Sequence, residues 1–147
     1  DWFYSPDVLS YLNTIYQDPN IWLTYGNLAR VSDKDLPPHA SDGYHSSNRL
    51  RSHPFSFHPL RTFYAKLFKN IKLSDLLYNS HFFSITGDFA FGIPLLEMAG
   101  SHAHFIHKIL YIYNNTLTTN EFRSHQAKQA FFDYINSLMV WESYLLW

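Results

Sequence analysis

Residues 94–113 read PLLEMAGSHAHFIHKILYIY, and their apolar side chains recur at intervals of three and four. This spacing is the period of an amphipathic α-helix. The stripe that it draws consists of Leu95, Met98, Ala99, His102, Phe105, Ile106, Ile109, Ile112 and Tyr113. The pattern therefore predicts one long helix that begins at Pro94 and ends at the two asparagines of residues 114–115.

A second apolar stripe follows at once and predicts the last helix of the chain. Thr118 or Thr119 begins it, with Glu121 placed for a capping box. The stripe then runs through Phe122, Phe131, Leu138, Trp141 and Leu145. A helix from Thr119 to Leu146 would be about 40 Å long. Because only a short connection separates the two predicted helices, we expect them to pack as an antiparallel pair.

The N-terminal half predicts shorter elements around a long loop. Ser5-Pro6-Asp7 is a typical helix start, and a second short helix is expected over 21–29. Residues 31–57 are rich in Pro, Gly and Ser and predict an extended arm. Helix returns near Pro59, and its inward apolar stripe is expected to consist of Leu60, Phe63, Tyr64, Leu67 and Phe68. The sequence thus predicts a single, mainly α domain over 1–147: an irregular helical domain with a long basic loop and two long C-terminal helices.

The distribution of charge is the main functional signal. The stretch Gly43–Ser74 has no acidic residue, although the chain as a whole has a net charge of −1. Acidic residues exceed basic ones on both sides of it. A cationic segment of this kind usually meets an anionic partner. Its basic residues are Arg49 and Arg51 in the arm and Arg61, Lys66, Lys69 and Lys72 beyond it, of which Arg61, Lys66 and Lys69 are expected to face outward from the helix.

Composition favours a protein that binds other subunits. Aromatic residues make up 19% of the chain and charged residues only 16%, and the cores of protein interfaces show the same bias. The predicted C-terminal helix ends in an apolar segment with Trp141 and Trp147, which are further candidate docking residues. The run 81–99 contains Asp88, Pro94 and Glu97, so we expect no transmembrane span.

Catalytic signatures are missing from the sequence. The absence of cysteine excludes disulfides, thiolate catalysis and zinc ribbons. The five glycines form no phosphate-binding loop, and there is no Gly-x-Ser-x-Gly elbow. We therefore favour a non-enzymatic protein and expect no cofactor.

A histidine cluster supports the alternative hypothesis. On a helix His104 and His107 would face the same way and could share a metal ion, with further ligands from another element. His102 would lie on the apolar stripe, where an axial haem ligand would be placed. The alternative is thus a small helical metal- or haem-binding protein or enzyme. An RNA-associated subunit is a third hypothesis, and a sequence pI of 6.8 disfavours nucleic acid as partner.

The sequence-based prediction of function is a non-catalytic accessory or scaffold subunit of a larger multiprotein assembly. It would dock through the cationic aromatic segment and the apolar C-terminal helix, with anionic lipid as a second candidate partner. An intracellular location is expected, and a membrane-associated organellar complex, such as a mitochondrial one, fits the composition.

Overall fold

The structure is a computed structural model that describes residues 1–32, 57–83, 86–116, 129 and 133–138. Within these ranges it shows a mixed α/β fold in which short helices cover a curled four-stranded sheet. Two 3₁₀ turns, Leu73–Leu76 and Gly100–His102, connect the regular elements. In chain order the elements are β1 (Trp2–Phe3), α1 (Val8–Ile15), β2 (Leu23–Arg30), β3 (Thr62–Phe63), α2 (Ala65–Lys69), β4 (Leu77–Tyr78), β5 (His81–Phe82), α3 (Gly87–Ala99) and β6 (Ala103–Tyr113).

The main sheet has the strand order β1-β6-β2-β3. Its two long strands, β2 and β6, are parallel, with Leu23 opposite Ala103 and Tyr25 opposite Phe105. The short strands β1 and β3 are antiparallel to their neighbours and form the two edges. A separate hairpin is made by β4 and β5. The backbone that joins β2 to its parallel neighbour includes α2 and α3, which is how a parallel connection is usually made.

An irregularity in the pairing of β2 with β6 explains why residue 26 is a glycine. The register of β2 against β6 shifts between Gly26 and Leu28. A Cβ atom on Gly26 would lie 2.8 Å from the carbonyl oxygen of Ile106, closer than real Cβ contacts come. The side chain of Asn27 is buried at the same point, and its Nδ2 donates to the carbonyl oxygen of His107 at 3.1 Å. Only glycine allows the two strands to approach this closely.

One face of the sheet carries the main core. Because side chains alternate along a strand, Leu23 and Tyr25 on β2 share this face with Ala103 and Phe105 on β6. Both helices α2 and α3 pack against it. The buried cluster consists of Trp22, Leu23, Tyr25, Phe57, Leu67, Ile71, Leu95, Leu96, Met98, Ala99, Ala103 and Phe105.

The opposite face is covered by α1. Val8 and Leu12 of this helix pack on Ile106 and Leu110 of β6. A chain of hydroxyl groups lies on the same face, where Thr62 Oγ1 is 2.6 Å from Thr24 Oγ1 and 2.8 Å from the Tyr16 hydroxyl. The hydroxyl chain joins α1, β2 and β3.

The prediction of a mainly α, helical domain is wrong. The predicted helix over 94–113 is in fact the end of α3 followed by the strand β6, and α3 begins earlier, at Gly87. The break falls at Gly100, whose φ of 52° lies in a region that glycine enters without steric cost. Residues 103–113 contain three Ile and two Tyr, which favour strands, and the burial of Ala103 and Phe105 on one face and of Ile106 and Leu110 on the other outweighs the helical spacing. The predicted antiparallel pair of long helices therefore does not form.

Two further elements differ from the prediction, and two agree with it. Residues 21–29, predicted as a helix, lie mostly in the strand β2. Of the helix predicted from Pro59, only α2 is helical. The helix after Ser5-Pro6-Asp7 is present as α1, and residues 133–137 of the last predicted helix are helical. Ile135 there packs on Ala90 and Ile93 of α3. Most of the predicted arm, 33–56, lies outside the described residues.

Candidate docking surface

Three of the predicted binding residues come together on α2 and the turn that follows it. Lys66 and Lys69 are exposed and, being three apart on a helix, lie on neighbouring positions of one face. Lys72 is exposed just beyond the helix. Within α2 only Leu67 is buried, so most of this short helix is open to solvent. Exposure of Lys66 and Lys69 agrees with the outward orientation that the sequence predicts.

Exposed apolar side chains lie among these lysines. Phe68 is 41% exposed, and Leu73, at the start of the next turn, is 62% exposed. The sequence pattern had placed Phe68 on the inward stripe of the helix, and the structure corrects this. We call the set Lys66, Phe68, Lys69, Lys72 and Leu73 the lysine surface. It combines positive charge with apolar area, which is the composition of a binding surface more than of a solvated face.

An aromatic base holds the lysine surface in place. The ring of Phe68 stacks on Phe63 of β3 with 6.1 Å between ring centroids. It also meets Phe91 of α3 edge to face, again at 6.1 Å. Aromatic pairs of this geometry are favourable beyond their buried area. The half-exposed Phe68 is thus fixed from below by side chains of two other elements.

Arg61 does not belong to this surface. Its side chain is only 19% exposed, and its guanidinium lies 3.0 Å from the Asp88 carboxylate in the first turn of α3. The Nε–H donates to the carbonyl oxygen of Phe57, and the guanidinium also lies 5.2 Å from the centre of the Phe57 ring. Burial lowers the pKa of Arg61, and the attraction of Asp88 opposes this shift. Arg61 therefore ties the segment before β3 to α3, and the expectation that it faces outward is wrong.

The histidine cluster takes a different form from the one predicted. His104 and His107 are exposed but lie on the strand β6, so the helical geometry that would bring them together is absent. His102 stacks face to face on Trp22 with 3.6 Å between ring centroids, and its Nδ1 is 2.7 Å from the carbonyl oxygen of Asn20. In the ranges that the structure covers, no three His, Asp or Glu side chains are grouped so that they could hold a metal ion.

The remaining predicted residues cannot be placed. Arg49 and Arg51 in the arm, and Trp141 and Trp147 near the C-terminal end, lie outside the described residues. Of the helices within the described ranges, none has both the length and the apolar character that a bilayer crossing requires.

A second exposed apolar region was missed by the sequence reasoning. Trp2 and Phe3 of β1 are 49% and 45% exposed, and the following Tyr4 is 55% exposed. A signal was available in the sequence, because three consecutive aromatic residues on a strand cannot all point to one buried face. Helical periodicity, which depends on apolar residues three and four apart, does not detect three aromatic residues in a row.

Comparisons with protein-family models, with characterised proteins and with solved structures found no match for this chain.

Proposed function

We propose that this chain is a non-catalytic accessory or scaffold subunit of a larger protein assembly, and that it binds an acidic protein partner through the lysine surface. The observation that carries the proposal is the exposure of Phe68 and Leu73 among three exposed lysines. Apolar anchors surrounded by charges of one sign are the usual composition of a protein interface that selects its partner by charge.

The sign of the partner's charge follows from the charged residues at the lysine surface. The sequence from residue 43 to residue 74 contains no Asp or Glu, and Asp88 is engaged by the buried Arg61. Asp75, in the turn that follows Lys72, is the nearest acidic residue along the chain and is half-buried, so the three exposed lysines outnumber it and the surface is positive overall. Acidic residues on the partner gain from this field, and basic ones are repelled.

The fixed position of Phe68 favours a protein partner over a lipid surface. Phe68 is held by Phe63 and Phe91, so its position is fixed before binding. A fixed anchor loses little conformational freedom when it enters a complementary pocket, and this benefits a partner of defined shape. A lipid surface, which adapts to any shape, gains nothing from the fixed geometry.

Titration with a labelled acidic peptide tests the proposal. The probe is a peptide of alternating Glu and Phe, and its binding is followed by fluorescence anisotropy at low salt. Each exposed ion pair contributes about 0.2–1 kcal/mol. Three such pairs amount to about 0.6–3 kcal/mol, so replacing Lys66, Lys69 and Lys72 together by Gln should weaken binding by about 3- to 150-fold. Binding by the unmodified chain should also weaken as salt is added.

Lys108 provides the matched control. It is exposed on β6, where it pairs with Asp7 at 3.7 Å, and it is not part of the lysine surface. Lys108→Gln should leave the affinity for the peptide unchanged, while Lys69→Gln lowers it. Vesicles of anionic phospholipid are the competing probe. If the chain sediments with the vesicles and does not bind the peptide, the proposal of a protein partner is wrong.

A further inference from the structure

We infer that the acidic partner of the lysine surface is a second copy of this chain, which binds through the exposed aromatic strand at the other edge of the sheet. The inference rests on the proposed function, because it names the partner of the same surface. It follows from three observations: an exposed aromatic strand, its acidic surroundings and the strand order of the sheet.

The aromatic strand is the first of these. Trp2, Phe3 and Tyr4, which we call the aromatic edge, each keep about half of their surface exposed. One side of this strand is already held by β6, where Trp2 is opposite Ile112 and the Tyr4 N–H donates to the Leu110 carbonyl oxygen at 3.0 Å. The strand is therefore fixed while its side chains remain available. Large aromatic residues of this kind are the commonest anchors of protein interfaces.

The charges around the aromatic edge are the second observation. The first 29 residues contain three Asp and no Glu, Lys, Arg or His. Asp1 and Asp7 lie on either side of the aromatic edge along the chain. The Asp1 carboxylate accepts from the Tyr111 hydroxyl at 3.0 Å and from the Asn114 N–H. Asp7 is exposed, and the hydroxyl of Ser5 lowers its pKa, so it stays ionised near neutral pH. Lys108 pairs with Asp7, so two carboxylates and one ammonium leave a net charge of −1 beside the aromatic edge, opposite in sign to the lysine surface.

Lys108 already shows the contact that this chemistry makes. Its Nζ lies 4.6 Å from the centre of the Tyr11 ring and 3.7 Å from the Asp7 carboxylate. One lysine thus meets an aromatic ring and a carboxylate at the same time. Lys66, Lys69 and Lys72 can make the same double contact with the rings and carboxylates of the aromatic edge, through cation–π attraction and ion pairs.

The strand order of the sheet provides the third observation. In the order β1-β6-β2-β3, the aromatic edge is at one end and β3 at the other. The chain passes from β3 through a single residue, Tyr64, into α2, which carries the lysine surface. The two surfaces are therefore at opposite edges and cannot bind each other within one copy. A contact between unlike surfaces is heterologous, and it repeats from copy to copy to give a ring or an open chain.

The inference is tested by measuring how the mass of the purified protein in solution depends on its concentration. We expect the weight-average mass, measured by sedimentation, to rise as the concentration increases from about 1 to about 200 µM at low salt. Added salt should return the chain to the monomer. The double variant Lys69→Glu/Leu73→Ser changes only exposed side chains of the lysine surface and should weaken self-association by about tenfold or more. Trp2→Ser/Asp7→Lys should do the same from the aromatic edge.

Mixing these two variants tests the head-to-tail arrangement. Each variant keeps one intact surface, and the two intact surfaces are complementary. Each variant alone should stay monomeric, whereas an equal mixture should form a dimer of one copy of each and nothing larger. Phe82→Ser, which removes a 68% exposed aromatic side chain of β5, is the matched control and should self-associate like the unmodified chain. Circular dichroism melting confirms that every variant is folded.

Failure of the inference can be distinguished from failure of the proposed function. If the chain stays monomeric at every concentration yet binds the Glu-Phe peptide through Lys66, Lys69 and Lys72, the partner is a different acidic protein and the inference is overturned. If it binds neither the peptide nor itself, both are overturned. If the mixed variants form no dimer although the unmodified chain self-associates, copies meet through other surfaces and the head-to-tail contact is wrong.

Discussion

The two faces of the central sheet share the same pair of parallel strands, but the apolar cluster buried on one face is much larger than the cluster on the other. On one face α2 and α3 bury Tyr25 and Phe105 under a large aromatic and aliphatic cluster. On the other face the short helix α1 rests on Ile106 and Leu110 through Val8 and Leu12. The buried apolar area, and with it the hydrophobic stabilisation, is concentrated on the α3 face. The α3 face therefore contributes most of the stability of the fold, and the packing of α1 contributes less.

A difference in local stability follows from this comparison. Regions with few buried apolar contacts open at lower free energy than the core does. We expect the amide hydrogens of α1 to exchange with solvent faster than those of β2 and α3. The aromatic edge lies next to α1 in the chain, so it is carried by the less stable side of the molecule.

Shortening a leucine on each face gives the largest expected effects. Leu95 on α3 is fully buried, and Leu95→Ala should lower the free energy of unfolding by about 3–4 kcal/mol. Leu12 on α1 is 4% exposed, and Leu12→Ala should cost about 2–3 kcal/mol because the thin layer can collapse into the space left. Urea unfolding measures both. If the Leu12 variant loses as much as the Leu95 variant, the two faces contribute equally and the comparison is wrong.

A glycine pair tests how tightly the two strands approach. Gly26→Ala would place a Cβ 2.8 Å from the Ile106 carbonyl oxygen, and we expect it to destabilise the fold by about 2 kcal/mol. Gly87→Ala is the matched control, because nothing lies within 4 Å of its added Cβ. Alanine in a helix is favoured over glycine, so this variant should gain up to about 1 kcal/mol. Thermal melting should move in opposite directions for the two variants.

Breaking the hydroxyl chain on the α1 face has a smaller effect. Thr62→Val keeps the side-chain shape but leaves the buried Thr24 hydroxyl and the Tyr16 hydroxyl without this partner. The expected loss is about 1–2 kcal/mol. Thr14→Val is the control, since the Thr14 hydroxyl bonds only the Tyr11 carbonyl oxygen at the surface, and its cost should be well under 1 kcal/mol. Equal losses in urea unfolding would show that the hydroxyl chain does not join α1 to the sheet.

How far the sequence alone predicts this fold can be judged from particular elements. Ser5-Pro6-Asp7 marks the start of α1 correctly because the signal for a helix start is local. The stretch 94–113 does not form the single predicted helix because β6 is buried on both faces, with Phe105 in one cluster and Ile106 and Leu110 in the other, and two-sided burial also produces spacings of three and four. What decides between helix and strand is the pairing of β6 with β2, about 80 positions away in the chain, and no local pattern contains that information.

The same distinction between local and distant information applies to the basic segment around the lysine surface. The exposure of Lys66 and Lys69 follows from their positions relative to Leu67 on one helix, so local spacing predicts it. The burial of Arg61 depends on Asp88, a distant residue brought near by the fold. Exposure of Phe68 depends on where β3 and α3 come to lie, which the spacing of apolar residues does not reveal. Tertiary contacts thus decide which members of a charged segment remain exposed to solvent.

Alkaline pH should separate the two faces with the smallest effect of the series. Burial raises the pKa of Tyr25, on the α3 face, from 10.0 to about 12, and it also raises the pKa of Tyr16 on the α1 face. The unfolded chain then loses these protons at lower pH than the folded chain does. The stability that the neutral tyrosines contribute is complete below pH 10, and for Tyr25 it is lost as pH rises toward about 12. One proton sets an upper bound of about 1.4 kcal/mol per pH unit, and we expect less than this bound. Urea unfolding between pH 9 and about pH 12 should show that Tyr25→Phe removes more of the alkaline loss than Tyr16→Phe does. An unchanged alkaline loss in the Tyr25 variant would mean that this phenol is not held in the core of the α3 face.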